Sequence, residues 1–450
     1  MSLSLQELRR LYAFCDPDEP LEPGDPRYVD IDRADEAGGR PRRYGWIQRI
    51  SRKFELGADS PRTVLLTGLP GSGKSTELRL ILDQLRDPEG AALFPVLIDA
   101  EQVIDLRAPL DLPELVLTLL METERRIIVD LEEADPAGAD NAIATKSVGT
   151  RFWNWLATTE VELSSFDIGV FGQKLTLELK TNEDFKDLLR KVVKQRLGSF
   201  LLRAREHMEE LQARVKCCRI DASTSHYAGL VIALDSLERL RGTSSNASDV
   251  LDSVEYIFRN FSARDLGAHA IFTVPAALVT RSKLDVEFMP AIKIRARDGA
   301  DYEPGLLAMH ALLDGRMSAD EQTAVFGPEH ESRVRTMIVQ SGGDPREFLK
   351  MVQEALSVAE LPLDARAFRV LMGTRADGYR RLVRGDALDL LRKIHRDKPP
   401  LSLHTSEPGN SRLTDSLLMN SLVMLYQNDT EWTDVNPAIL SMIAERDDGL

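Results

Sequence analysis

Residues 62–85, RTVLLTGLPGSGKSTELRLILDQL, decide the fold. Val64, Leu65 and Leu66 form a short apolar run of the kind that a strand buried on both faces carries. Gly68 to Ser75 then reads GLPGSGKS and matches G-x-x-x-x-G-K-[ST] without a mismatch. Leu78, Ile81, Leu82 and Leu85 recur at helical spacing, so a helix opens directly after the loop. Glycines let successive backbone N–H groups turn inward around an anion, and the helix N-terminus adds its positive dipole end. Composition alone would produce the octapeptide pattern in roughly one chain per hundred. The strand before it and the helix after it make accident rarer still, which sets aside an ordinary glycine-rich turn. The phosphate-binding set is therefore Gly68, Pro70, Gly71, Ser72, Gly73, Lys74, Ser75 and Thr76. Lys74 is expected on the β- and γ-phosphates of ATP, and Ser75 on Mg²⁺.

Magnesium also needs a carboxylate from a neighbouring parallel strand. GLVIALD, 229–235, is an unbroken apolar run that ends in an acid, so Asp235 is the expected second metal residue. In many such strands a glutamate follows the aspartate and activates the attacking water. Here Ser236 follows, and the nearest glutamate is Glu238. A serine can orient a water but cannot take its proton, so the base must be Glu238, Asp99 or Glu101, or come from a partner. LFPVLIDAE (93–101), AHAIFTVPA (268–276) and MPAIKI (289–294) are the other expected strands. Strands alternating with helices around a phosphate loop predict an α/β doubly wound parallel-sheet core, with ligands at the carboxyl ends of its strands. Thr273 would then lie beside the γ-phosphate.

Four pieces, GLPGSGKST, LVIALDSLERL, IFTVP and SGGDPREFLKMV (341–352), together resemble the AAA+-like ATPases. The likeness is to their signal-transduction branch with numerous domains (STAND) and to origin-recognition relatives. DPRYVDIDRA and the order of elements also resemble a group of bacterial ATP-binding proteins. The resemblance implies a helical lid whose sensor arginine is Arg346. It follows the N-capping Asp344 and the helix-opening Pro345 and would couple nucleotide state to lid position. It further implies an arginine finger supplied by a neighbouring protomer, with Arg281 in the expected place and Arg239, Arg259 and Arg264 as alternatives. Many STAND relatives act in defence against phage.

The remaining sequence divides around this core. Residues 1–58 form an N-terminal helical segment, opened by a capping box at Ser4 and Glu7. The ATPase core spans 59–300, with an insertion at 122–220. Within the insertion, 161–181 predicts a β-hairpin from the alternation of Leu175, Leu177 and Leu179, turning at Gly172-Gln173. Residues 183–216 predict one long helix whose stripe, from Leu189 through Leu197 to Val215, must be covered by the protein itself or by a partner. The lid spans 301–362, with a second capping box at Ser318 and Glu321. The helix–helix–strand–strand order within 363–450 predicts a winged helix. Six arginines stand between 363 and 384 against two aspartates, yet 385–450 holds 6 basic and 11 acidic residues.

The chain has 450 residues and a formal net charge of −15, so nucleic acid or anionic lipid would need a local basic patch. Three cysteines without metal spacing fit a reducing, cytoplasmic setting. No apolar run nears the roughly 20 residues needed to span a membrane, and the first residues lack a signal peptide's pattern. Two readings stand at this stage. One is a Mg-ATP-dependent molecular switch that hydrolyses slowly and acts as a homo-oligomer, through an effector protein, or both. The other is an ATP-gated loader or regulator that binds DNA through the winged helix. A small-molecule kinase is weaker, since no acceptor site is visible.

Overall fold

The structure, a computed structural model, describes residues 3–32, 40–42, 45–57, 60–134, 148–159, 173–220, 224–240, 242, 246–281, 284–401, 410–427 and 430–444. In chain order, α1 (Leu5–Phe14) and α2 (Trp46–Glu55) precede β1 (Thr63–Gly68) and α3 (Lys74–Arg86). β2 (Leu93–Asp99), the single turn α4 (Ala100–Val103) and α5 (Leu112–Ala134) follow. Then come α6 (Val148–Thr159), α7 (Gln173–Thr181), α8 (Glu183–Gln195), α9 (Leu197–Lys216), β3 (Gly229–Asp235) and α10 (Ala247–Asn260). α11 (Ala263–Leu266), β4 (His269–Thr273), α12 (Leu278–Arg281) and β5 (Val286–Met289) complete the strand-bearing part. The rest is α13 (Glu303–Asp314), α14 (Ala319–Phe326), α15 (His330–Ser341), α16 (Pro345–Leu356), α17 (Ala365–Arg380), α18 (Leu388–Asp397), α19 (Asn410–Met419), β6 (Val423–Gln427), β7 (Glu431–Val435) and α20 (Leu440–Ala444).

Five strands form one sheet in the order β2-β3-β4-β1-β5, and β1 with β4, β4 with β3 and β3 with β2 are parallel pairs. Every residue of β3 and β4 is buried, which is why their sequences run apolar without alternation. Each parallel crossover passes through helices, as parallel pairing demands. Register aligns the carboxyl ends: Leu66 stands beside Thr273, and Asp99 beside Asp235.

The chain divides into two compact units, residues 1–46, 68–79 and 288–450 in one and 47–67 with 80–287 in the other. Each has its own apolar core, the sheet-bearing unit around residues such as Val96, Leu234 and Phe272, the other around Ile292, Phe326 and Phe348.

In the sheet-bearing unit two expectations about the insertion change. Residues 173–181 are helix α7, not a hairpin strand, and 161–172 lie outside the described residues. Three alternating leucines also satisfy a helix: Leu175 and Leu179, one turn apart, are buried while Leu177 between them is exposed. The expected long helix is broken at Arg196, between α8 and α9. Asn182 caps α8 by accepting the Phe185 N–H at 3.1 Å. The stripe Phe200, Ala204, Met208, Leu211 and Val215 is fully buried, with α9 packed on α5, α6 and α11. The protein covers that stripe itself except at Leu197, which is exposed beside the break.

The fifth strand lies earlier than expected, at Val286–Met289, and 291–294, in the other unit, is not part of it. Ile292 and Ile294 enter the second core instead. Their segment is held by Ala291 N–H on the Leu425 carbonyl (2.9 Å), Ile292 N–H on that of Gly343 (3.1 Å) and Lys293 N–H on that of Pro41 (2.8 Å). Both capping boxes form, Ser4 with Glu7 and Ser318 with Glu321. Helices α18 and α19 and the antiparallel β6–β7 hairpin stand where the sequence placed them, while the turn at 428–429 lies outside the described residues. Among the described residues no helix is long and apolar enough to cross a membrane.

Candidate nucleotide-binding site

The loop after β1 has the backbone that an anion cradle requires. Gly71 and Gly73 sit at φ +84° and +93°, where a side chain is strained, and a Cβ on Gly68 would fall 2.7 Å from the Met289 carbonyl oxygen. Lys74 opens α3 and is buried, and its ammonium donates to the Gly68 and Leu69 carbonyls at 3.2 and 3.0 Å. Its charge thus already lies folded over the loop. Thr76 accepts the Leu21 N–H through its hydroxyl at 3.1 Å, so the N-terminal segment crosses the start of α3.

The first turn of α16 rests on the same loop. Asp344 caps this helix, accepting N–H groups from Arg346 (2.9 Å) and Glu347 (3.2 Å). A Cβ on Gly71 would fall 2.4 Å from Asp344 Oδ1 and 2.8 Å from Arg346 Cβ. The Arg346 guanidinium reaches the N-terminal segment, with Nε 3.3 Å from the Pro17 carbonyl and 3.2 Å from Asp18 Oδ1. Burial, then the Glu347 charge, push the Asp344 carboxyl up to about 7. Between the ordinary carboxyl range and that value, folded protein holds a proton that unfolded protein has lost, so stability falls as pH rises. Asp344→Asn keeps a capping oxygen and removes this titration. Denaturant melts from pH 4 to 8 should show a shallower decline for the variant, and a gain on the order of 2 kcal/mol at pH 8. Parallel declines for both proteins would contradict the assignment.

The strand ends of the sheet-bearing unit carry the second half of the chemistry. Asp235 is buried at the end of β3. Ser236 next to it has φ +65°, a left-handed conformation, and a short 3-10 turn, Leu237–Arg239, follows. The turn is pinned by Thr273: its hydroxyl accepts the Leu237 N–H (3.1 Å) and donates to the Leu234 carbonyl (3.4 Å). Thr273 therefore serves the backbone around Asp235. Asp99 caps α4, accepting the Glu101 N–H at 3.1 Å, and Glu101 pairs with Arg239 at 2.6 Å. Ser236→Gly removes the left-handed strain, and a stability gain of about 1 kcal/mol is expected. Thermal melts check this, and a loss of stability would mean the serine hydroxyl outweighs the backbone term.

Of the arginines proposed as fingers, Arg239 is occupied by Glu101 and Arg259 pairs with Glu255 one turn away. Arg264 lines a cavity of about 380 Å³ with Lys53, Arg62, Asp285 and Glu287. Arg281 ends α12, and its side chain lies outside the described residues. Sequence reasoning missed Arg42, whose buried guanidinium bonds the Ser72 carbonyl at 2.6 Å and approaches Glu77 at 3.3 Å. It belongs to no motif. The only signal was a basic run, RPRR, before α2.

The glycine loop directly after β1 and the parallel order β2-β3-β4-β1 are the marks of one fold. This is the P-loop α/β fold. No protein-family model and no curated protein matches the chain. Among solved structures the chain is similar to the Walker-type ATPase PABY2304 of Pyrococcus abyssi, at 15% identity over 88% of this chain and 95% of that one, with TM-score 0.41. The ORC1 protein of Aeropyrum pernix in complex with DNA gives 14%, 94% and 96%, with TM-score 0.35. The ADP form of the ORC2 protein from the same organism gives 12%, 98% and 97%, with TM-score 0.36. At TM-scores this low the likeness transfers neither ligand nor partner.

Among the described residues no group of three or more His, Cys, Asp or Glu is placed to hold a metal. Magnesium at a P-loop needs no such cage, because phosphate and water supply most of its ligands. The Ser75 hydroxyl, at the start of α3, is a hard oxygen donor of the kind it takes.

Proposed function

We propose that this chain is a Mg-ATP-binding, slowly hydrolysing switch of AAA+/STAND type. The observation that carries the reading is the glycine cradle of Gly68–Thr76, with Lys74 folded over it and the first turn of α16 against Gly71. Bound Mg-ATP supplies the γ-phosphate whose presence or loss the lid reads. Lys74 exchanges its two loop carbonyls for phosphate oxygens, Ser75 and Asp235 hold the metal, and Arg346 leaves Asp18 to follow the nucleotide. Hydrolysis is slow because the residue after Asp235 is a serine and Glu101 is engaged by Arg239. Glu238, in the turn that Thr273 pins, is the base of this scheme. Arg281 of a second copy completes the site, and the lid controls an effector protein. A bacterial, antiphage setting fits this scheme.

The test is titration with a fluorescent ATP analogue, with and without Mg²⁺, together with phosphate release by the wild type and Glu238→Gln. Magnesium-dependent binding is expected, with turnover below about 1 per second and lower again in the variant. Wild-type protein that binds no ATP ends this reading, and equal turnover in the variant moves the base elsewhere.

DNA binding remains the second reading, supported by the exposed Arg366, Arg369, Arg381 and Arg384 on and after α17. Arg375 does not contribute, being paired with Glu347 and Glu354, and the acidic residues beyond 385 oppose it. The two readings separate by whether duplex binding appears at low salt and falls steeply as salt rises.

A further inference from the structure

Arg42 lies far upstream of the phosphate loop in sequence, yet its guanidinium packs on the outer side of that loop. A Cβ on Gly73 would come 3.8 Å from Arg42 Nη2, the same nitrogen that donates to the Ser72 carbonyl at 2.6 Å. The other arm, Nη1, stands 3.3 Å from Glu77 Oε1 in the first turn of α3. The two side chains are only 3% and 6% exposed, so water does not compete for either contact.

Peptide geometry makes this contact consequential. The Ser72 carbonyl and the Gly73 N–H belong to one planar trans unit and point in opposite directions. A donor that draws the carbonyl outward therefore aims the N–H inward. Buried carbonyls need such a donor in any case, and a guanidinium makes a stronger one than a neutral group. Its rigid fork also ties a loop residue to a helix residue, which a lysine's point charge cannot do.

We infer that Arg42 is a positioning residue of the phosphate site: it sets the Ser72–Gly73 peptide so that the Gly73 N–H faces the phosphates, and Glu77 holds the guanidinium in place. The inference rests on the loop being an ATP site, but its structural half does not depend on ATP. Removing Arg42 alone would strand the buried Glu77 carboxyl, so the informative variant is Arg42→Ala with Glu77→Gln, beside Glu77→Gln and Arg42→Lys singly.

Affinities for ATP, pyrophosphate and adenosine are to be compared, with hydrogen exchange at the loop amides of the nucleotide-free protein. The double variant should lose ATP and pyrophosphate affinity at least about tenfold while adenosine binding is unchanged, because the defect is confined to the phosphates. Exchange at Gly73 should quicken by a similar factor, and Glu77→Gln alone, which keeps an oxygen for the guanidinium, should lose less than the double variant on both readouts. A folded double variant with wild-type exchange overturns the inference. Should the wild type bind no ATP, the nucleotide reading fails separately and exchange still decides Arg42. Should the double variant not fold, Arg42→Lys decides: a smaller loss of the same pattern supports the inference, and wild-type affinity and exchange overturn it.

Discussion

Lys74→Ala should reduce ATP affinity at least about a hundredfold, because truncating one partner of a buried charge pair costs roughly 2–5 kcal/mol. The ammonium is buried in the first turn of α3 and bonded to the Gly68 and Leu69 carbonyls. It is therefore already at the loop and spends little ordering energy in meeting a phosphate. Folding should survive, since alanine is the best helix former at that position and both carbonyls lie in a loop that can rehydrate. Binding isotherms with an unchanged melting temperature would separate lost recognition from lost structure. Wild-type affinity in a folded variant would remove the loop from ATP binding.

Gly343→Ala should strongly destabilise the unit that holds α16. Gly343 has φ +82°, and a Cβ there would lie 1.8 Å from the Ile292 carbonyl oxygen. That oxygen is backbone, so relief requires the 291–294 segment to move and the Ile292 N–H bond to the Gly343 carbonyl to break. Backbone strain and overpacking each contribute about 1–3 kcal/mol, so a loss of about 3 kcal/mol is expected. Gly373, in exposed α17, is the control: nothing lies within 4 Å of its Cβ position. Alanine there should stabilise by roughly 0.5–1 kcal/mol. Comparable melts for the two variants would contradict the packing at Gly343. Because Gly343 precedes Asp344 and Arg346, its variant should also weaken nucleotide binding by displacing the first turn of α16 from Gly71.

Legibility followed the range of each signal. β1, the loop and α3 were readable because a left-handed glycine, an apolar strand and a helical stripe are all written within a few neighbours. The same holds for the capping boxes. Alternation deceived at Leu175–Leu179, since three leucines at every second position fit a strand and equally a helix with one exposed member. MPAIKI looked like a strand because Ile292 and Ile294 alternate. Their burial is real, but their segment bonds to backbone at Pro41, Gly343 and Leu425 rather than to the sheet.

By itself, the sequence determined the phosphate loop, the parallel strands around it and the acids at their ends, because each depends on local backbone preference or on a period of burial. Only the tertiary structure decided that Arg42 grips the Ser72 carbonyl and that Asp344 lies on Gly71. The same is true of Arg346 on Asp18 and of Thr273 pinning the turn after Asp235. These are meetings of single polar side chains with groups distant in sequence, and such contacts carry no period and no motif. Ser236 spans both cases. Its identity shows that the expected second acid is missing, while its left-handed conformation shows that the chain turns at that residue.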